Sequence, residues 1–346
     1  MTSNPSVSRA TSLASVTALL VAMAAGVLLG PADATAQESP EHDFTWEMAI
    51  GAAPWWPLPN VQPAGNGYQQ QQQQSGGDIA DEYEFILLPD LGLGMDINNK
   101  RQIVGLDVLL QGGVLIYGDE VTPINVPGAV FTQPTNINER GDIVGHYRPS
   151  DESPLVGFHR DRHGEYTTIA YPDPAAVSTN LWGLNQRGDI VGHFTDANFV
   201  STPFILNKHG EFAILDVPGD GSAVALGINN RGVISGWFQV ESGFSRGYLL
   251  DGDDLTVVDY PGAPSSDVGR VNSHGEYNGI HSTPPFEIGS YVRNAQGEFF
   301  DFSFPGYGAT VIRGINDRGD QCGAASPSFP FEPFEGFVAL RKRGNN

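Results

Sequence analysis

The fold is decided by residues 138–145, Asn-Glu-Arg-Gly-Asp-Ile-Val-Gly, because variants of this stretch recur along the chain. In every copy an Asn stands seven residues before a closing Gly, and successive copies begin 40 to 47 residues apart. The six copies begin at Asn98, Asn138, Asn185, Asn229, Asn272 and Asn316. A phrase that recurs at such a period is the sequence signature of a repeat architecture.

Each repeat predicts four short β-strands. An apolar residue stands directly before every leading Asn and ends a first strand. The Asn-x-Arg-Gly stretch suits a hairpin in which the Asn side chain folds back on the backbone and the Gly is left-handed. Arg101 replaces this Gly in the first copy, which predicts a strained or reshaped turn. A second strand follows the hairpin, a Gly-containing turn joins the third strand to the fourth, and a Pro ends the sheet.

Four strands in about 44 residues are the period of a β-propeller blade. The sequence therefore predicts an all-β, six-bladed β-propeller over residues 78–346, with four antiparallel strands in each blade. The chain opens with a lone strand at residues 83–88 and finishes with a third strand at 337–340 that lacks a fourth. We expect the N-terminal strand to complete the last blade and close the ring, because closure removes two exposed sheet edges.

Composition excludes several classes of partner. The 346 residues include 40 Asp and Glu but only 18 Lys and Arg, which gives a formal charge of −22. A surface this acidic repels phosphate backbones and anionic lipid, so nucleic acid and electrostatic membrane docking are excluded. Cys322 is the single cysteine in the chain. No disulfide within the chain can hold the fold together, so a hydrophobic core must do so.

The N-terminal part of the chain predicts export. Arg9 precedes a largely apolar run over residues 12–30, and Ala34-Thr35-Ala36 supplies a small-x-small cleavage pattern, so residues 1–36 are predicted to be a signal peptide. An uncleaved membrane anchor is the alternative. Residues 37–77, rich in Pro, Gly and Gln, lack hydrophobic periodicity and are predicted to be a flexible linker. We expect a secreted or periplasmic protein without membrane contact beyond the signal peptide.

The repeat also resembles a known family. The recurrent phrase Gly-Ile-Asn-x-Arg-Gly-x-Ile-Val-Gly is similar to that of the probable extracellular repeat family, called HAF, of exported bacterial proteins. The resemblance covers nearly all of the predicted propeller. The His-Ala-Phe tripeptide that names the family is replaced here by pairs such as Gly157-Phe158 and Gly336-Phe337. The resemblance implies an extracellular repeat protein and brings no catalytic residues with it.

The candidate ligand-binding residues lie mainly at two positions of the repeat. One position follows the closing Gly, and the other stands just before the apolar end of the first strand. Because the second strand runs back toward the loops that join strands two and three, we expect both positions near the channel mouth on that face. The candidates are His146, Tyr147, Trp182, His193, Phe194, Trp237, Arg270 and Arg313. Packing between adjacent blades is the alternative explanation for the same side chains.

These observations predict a binding or interaction module that recognises an extracellular glycan, protein or small ligand on its loop face. The alternative is an extracellular hydrolase or lyase that acts on a polysaccharide or lactone from the same face. The sequence contains no phosphate-binding loop, metalloprotease motif, nucleophile elbow or paired-Cys zinc spacing, so no catalytic residue, metal ligand or cofactor is predicted. Ca²⁺ at the acidic tips 316–320 or 251–254 is an alternative, although neither has the spacing of a calcium loop.

Overall fold

The computed structural model describes residues 77–109, 111–219, 221–240, 243–283, 287–329 and 332–342. The predicted signal peptide and all but the last residue of the predicted linker lie outside the described residues. Within the described ranges, no helix has the length and apolar character needed to cross a membrane.

The described chain forms six four-stranded antiparallel sheets arranged as the blades of a β-propeller, as predicted. The strands are β1 (Tyr83–Leu87), β2 (Leu91–Ile97), β3 (Ile103–Asp107), β4 (Gly113–Tyr117), β5 (Glu120–Ile124), β6 (Phe131–Ile137), β7 (Ile143–Arg148), β8 (Val156–Arg160), β9 (Tyr166–Ile169), β10 (Ser178–Leu184), β11 (Ile190–Thr195), β12 (Ser201–Leu206), β13 (Phe212–Ile214), β14 (Ala223–Ile228), β15 (Ile234–Gln239), β16 (Ser245–Asp251), β17 (Asp254–Val258), β18 (Ser265–Ser266), β19 (Tyr277–Thr283), β20 (Glu287–Arg293), β21 (Phe299–Phe302), β22 (Ala309–Ile315), β23 (Gln321–Ser326) and β24 (Glu335–Arg341). Blades 1 to 5 contain β2–β5, β6–β9, β10–β13, β14–β17 and β18–β21, and blade 6 contains β22–β24 with β1.

The two ends of the propeller close the ring in blade 6, which confirms the prediction. Strand β1 pairs antiparallel with β24, with Phe85 opposite Ala339 and Ile86 opposite Val338. The Phe85 ring packs against those of Phe304 and Phe337, at centroid distances of 4.9 and 5.9 Å. Main-chain pairing and aromatic packing therefore join the two chain ends.

The hairpin between the first two strands of each blade is built by the repeat Asn. In blade 4, the Asn229 side-chain oxygen accepts hydrogen bonds from the backbone N–H groups of Arg231, Gly232 and Val233. The turn Gly has φ between 78° and 98° in five copies, which a residue with a Cβ rarely adopts. Arg101, which replaces that Gly, has φ of 63°, so the predicted strain is present. Its Nε donates to Asp320 of blade 6 at 3.0 Å.

The same Asn residues also join neighbouring blades. The side-chain nitrogen of Asn229 donates to the main-chain oxygen of Asn272 at 3.0 Å, and that of Asn272 donates to Asn316 at 3.1 Å. Asn316 in turn donates to Asn98 at 3.1 Å, across the point where blade 6 meets blade 1. Five of the six repeat Asn residues therefore shape their own hairpin and also bond the next one, whereas the side-chain nitrogen of Asn138 donates to Asp142.

Replacing Asn229 with Ala is expected to lower the free energy of unfolding by about 2 kcal/mol, because three buried or partly buried N–H groups lose their acceptor and one inter-blade bond is lost. Asn230→Ala is the control, since exposed Asn230 bonds to Gln186 and Ser273 of the neighbouring blades but not to its own hairpin, and it is expected to cost about 1 kcal/mol or less. Urea unfolding followed by circular dichroism measures both. Equal losses would contradict the role given to the repeat Asn.

The closing Gly of the repeat permits a close approach within each blade. A Cβ built on Gly192 would lie 2.0 Å from the main-chain oxygen of Asn180 on the neighbouring strand β10. The corresponding distance is 2.0 to 2.3 Å for the closing Gly of the other five copies. The first strand bulges at this point in five blades, which presses its carbonyl toward the second strand.

Blade 5 departs from the predicted pattern. Its first strand, β18, has two residues, and Val271, expected to end that strand, makes an isolated bridge to Tyr277. Side-chain oxygens accept hydrogen bonds here from main-chain N–H groups. The Asp267 carboxylate accepts from the Ile280 N–H, and the Asn278 side chain accepts from the Arg270 N–H. The chain here is irregular backbone fixed by side-chain hydrogen bonds together with a few main-chain ones.

Candidate binding site in the central channel

The bulged position of the first strand places Trp182 in the channel. The register of β10 against β11 shifts at Trp182, so this residue leaves the regular ladder. Its ring packs against the cluster of Val224, Leu226 and Trp237 from blade 4. It also packs against a cluster that includes Met95 of blade 1. Trp182 therefore reaches from blade 3 across the channel.

Two histidines flank the Trp182 ring. The His146 ring, from β7 of blade 2, meets the indole edge-on at a centroid distance of 5.3 Å. The His193 ring, from β11 of blade 3, lies nearly parallel to the indole at 6.5 Å. Gln133 lies opposite His146 in the β6–β7 ladder. We call Gln133, His146, Trp182 and His193 the Trp182 pocket.

The Trp182 pocket contains buried polar atoms without hydrogen-bond partners among the described residues. These atoms are Gln133 Oε1, His146 Nδ1, Trp182 Nε1 and both ring nitrogens of His193. Gln133, His146 and His193 are only 1%, 2% and 4% exposed, whereas the Trp182 ring is partly exposed. Most buried polar groups in proteins are hydrogen-bonded, so this concentration around one ring calls for an explanation beyond packing.

Burial keeps both imidazoles neutral. Loss of solvation, the largest cause, and the positive charge of Arg148 together lower the pKa of His146 to about 4, against a hydrogen bond with the backbone of Leu181 that raises it. Loss of solvation and the neighbouring His146 lower the pKa of His193 to about 3. At neutral pH each ring therefore offers one donor and one acceptor.

The double variant His146→Gln/His193→Gln is expected to gain stability relative to the wild type as pH falls from 6.5 to 4. Folded wild-type protein keeps both pKa values at about 4 and 3, whereas the unfolded chain binds protons near pH 6.5. Below pH 6.5 the wild type therefore loses about 1.4 kcal/mol per histidine per pH unit, and the variant does not. Burial raises the pKa of Asp96 and Asp267 to about 7 and 6, but these groups act equally in both proteins.

Urea unfolding of both proteins at several pH values measures this difference. His209→Gln, at an exposed turn, is the control. A difference between double variant and wild type that does not change with pH would contradict the burial of the imidazoles.

Arg270 connects blades across the channel. Its Nη2 donates to the main-chain oxygens of Thr135 in blade 2 and Trp182 in blade 3, at 2.7 and 2.8 Å. Its Nε lies 3.9 Å from the Asp96 carboxylate of blade 1. Arg270 is only 7% exposed, so most of its side chain contacts protein. Loss of solvation lowers its pKa and Asp96 raises it.

The remaining candidates predicted from the sequence lie at different places in the blades. Tyr147 and Phe194 follow His146 and His193 directly, so their side chains project from the opposite face of each sheet. Tyr147 bonds to Thr168 at 2.9 Å, and Phe194 stacks on Tyr171 at 4.2 Å. Trp237 contacts Trp182 within the blade 4 cluster. Arg313 is buried, so loss of solvation lowers its pKa, against the charge of Asp267, which raises it.

The structure thus brings four candidates together, His146, Trp182, His193 and Trp237, and separates Tyr147 and Phe194 from them. Sequence reasoning missed Gln133. Gln133 stands five residues before Asn138, and in the β6–β7 ladder it pairs with His146, the residue after the closing Gly. This position in the repeat was the signal that could have identified it.

The hairpin end of the channel forms an open depression. Repeat Asn residues form its wall, and Asp96 and Arg270 also line it. Across the described ranges, no group of three or more His, Cys, Asp or Glu side chains is arranged to hold a metal ion. In the tip considered for Ca²⁺, the Asp320 carboxylate accepts hydrogen bonds from Arg101 and Asn316.

Comparison with known proteins supports the fold. No family model matches the chain, and no curated protein matches it. Among solved structures, a gluconolactonase from Xanthomonas campestris is 12% identical, with a TM-score of 0.52 over 82% of this chain and 99% of that chain. The SapL1 lectin in complex with alpha methyl fucoside is 10% identical, with a TM-score of 0.49 over 75% and 98%. Virginiamycin B lyase from Staphylococcus aureus, as an inactive variant with quinupristin, is 13% identical, with a TM-score of 0.47 over 75% and 99%. The similarity to the gluconolactonase identifies the chain's fold as a β-propeller.

Proposed function

We propose that the protein is an exported binding module that holds a small ligand, or the end of a glycan or protein chain, in the Trp182 pocket. The observation that carries the proposal is the set of five buried, unpartnered hydrogen-bonding atoms around one indole ring. A ligand that entered from the loop face would supply those partners. It would also cover the partly exposed ring of Trp182, which favours association by removing apolar surface from water.

The N-terminal sequence supports export. The apolar run over residues 12–30, with Arg9 before it and Ala34-Thr35-Ala36 after it, has the order of a secretory signal. The resemblance of the repeats to the HAF family of extracellular proteins agrees with this order. We therefore place the binding function in the periplasm or outside the cell.

The electrostatics of the pocket favour binding over catalysis. General acid-base catalysis works best when the catalytic pKa lies near the working pH. The pKa values of His146 and His193, about 4 and 3, make both imidazoles weak bases at pH 7. They remain good hydrogen-bonding groups in their neutral form. The second candidate function is a hydrolase or lyase that acts on a polysaccharide or lactone, and the experiment below distinguishes it from a binding module.

The test combines a glycan array with NMR of histidine side chains labelled with ¹⁵N. We expect at least one array member to shift the His193 resonances of the wild-type protein, and His146→Gln/His193→Gln to weaken its binding at least tenfold. Tyr147→Phe is the matched control, because Tyr147 adjoins His146 but projects away from the pocket. Turnover of a polysaccharide or lactone that depends on His146 or His193 would identify an enzyme instead. Absence of any resonance shift would refute the pocket.

A further inference from the structure

We infer that the ligand of the Trp182 pocket is a hydroxylated ring carrying one carboxylate, a sugar acid, with its hydroxyls on the pocket wall and its carboxylate at Arg148. This inference rests on the proposed function and specifies its ligand class. It follows from two features, the kinds of hydrogen-bonding atom on the wall and the cation at its loop end.

The wall of the pocket matches hydroxyl groups. Trp182 Nε1 can only donate a hydrogen bond, and Gln133 Oε1 can only accept one. Neutral His193 supplies a donor at one ring nitrogen and an acceptor at the other, whereas His146 offers only Nδ1, because it also bonds to the backbone of Leu181. A hydroxyl both donates and accepts, so several hydroxyls on one ring can satisfy this mixture. A carboxylate or an ammonium group can satisfy only half of it, and burying either against neutral groups costs solvation.

The cation beside the wall is Arg148. It lies two residues after His146 on β7, so its side chain projects from the same face of the sheet, toward blade 3. Its position is closer to the loop end of the strand than that of His146. Its charge lowers the pKa of His146, in keeping with this placement.

Arg148 is free to bind an anion. Its Nε is buried and has no hydrogen-bond partner among the described residues. Within the described ranges Arg148 forms no ion pair. A guanidinium group binds a carboxylate through two parallel N–H donors. A sugar ring bound against His146 and His193, with its carboxylate toward the loop end, would place that carboxylate at the Arg148 guanidinium.

The net charge of −22 does not prevent anion binding here. At physiological ionic strength the field of exposed charges is screened over about 8 Å, whereas a direct guanidinium contact is not. Asp151 and Glu152, in the loop after β7, are both exposed and therefore screened. The local cation thus decides which charge the ligand can carry at the edge of the pocket.

The test measures the affinities of glucuronate and galacturonate against glucose, galactose and glucosamine by calorimetry and histidine NMR at 0.15 M salt. We expect a uronate to bind at least tenfold more tightly than its neutral counterpart, and glucosamine to bind most weakly. Arg148→Gln should abolish this preference while leaving the affinity for the neutral sugar within threefold. His193→Gln should weaken both sugars. Arg162→Gln, at the turn after β8 and beside the start of β7, whose other end carries Arg148, is the charge control and should change neither.

Two results would overturn the sugar-acid inference. One is equal affinity for the acid and the neutral sugar. The other is a preference for the acid that survives Arg148→Gln. If no sugar in this set shifts the His193 resonances but another member of the glycan array does, the proposed function stands and the ligand class is wrong. If nothing shifts them, both proposals fail.

Discussion

Replacement of Arg270 with Met is expected to lower the free energy of unfolding by about 2 to 4 kcal/mol, because two main-chain oxygens lose a charged donor. The change leaves the buried Asp96 carboxyl group without its cation and removes the donor to Thr135 and Trp182. These contacts join blade 5 to blades 1, 2 and 3 through a single side chain. Urea unfolding monitored by circular dichroism measures the loss.

The double variant Arg270→Met/Asp96→Asn separates the two causes of this loss. Because Asn carries no charge, the double variant should recover part of the stability lost in Arg270→Met, and the two substitutions should be non-additive. The unpaired carbonyls of Thr135 and Trp182 remain in both variants. Arg270→Met should also broaden the His193 resonances, since Trp182 loses the bond to its main-chain oxygen. A loss below about 1 kcal/mol would show that Arg270 is not a structural connection.

Gly192→Ala is expected to cost at least about 3 kcal/mol, the upper part of the range for overpacking a well-packed interior. Its new methyl group would lie 2.0 Å from the Asn180 carbonyl oxygen, which belongs to the backbone and cannot move alone. Strands β10 and β11 must separate to admit it, and this displaces Trp182 and His193 as well. The variant should therefore lose both stability and ligand binding.

Gly210→Ala is the matched control for Gly192→Ala. Gly210 has φ of 85°, and a Cβ built on it would meet nothing within 4 Å. Its substitution is expected to cost only the left-handed conformational penalty of about 1 to 2 kcal/mol. Thermal unfolding of the two variants compares the cost of the steric clash in Gly192→Ala with the cost of the left-handed conformation in Gly210→Ala. Equal losses would show that close approach is not the reason for the closing Gly.

The propeller was predictable because its determinants are local. An Asn and a Gly three residues later specify a hairpin, and the alternation of apolar residues specifies the strands on either side. The positive φ of Arg101 was predictable for the same reason, since the turn geometry belongs to the motif whichever residue occupies it. Ring closure followed from counting strands, because the lone first strand can serve as the fourth strand that the last blade lacks.

The Trp182 pocket was predictable only in part. Position in the repeat identified His146, His193 and Trp182, since equivalent residues occupy equivalent places in each blade. Tyr147 and Phe194 were grouped with them because they are adjacent in sequence, yet strand alternation turns them to the opposite face of the sheet. Gln133 was missed because its relation to His146 is a cross-strand pairing across a bulge.

Sequence alone determined the repeat, the four strands of each blade, the closure of the ring and the need for Asn and Gly at fixed places. These features depend on hydrogen bonds and turns within one repeat unit or between its nearest neighbours. Tertiary structure decided which side chains meet in the channel. Arg270 bonds to residues 135 and 88 positions away, and Thr135 bonds to Leu181 over 46 positions. Such contacts arise because closing the ring brings distant blades to one axis, and no local pattern encodes which side chains face each other there.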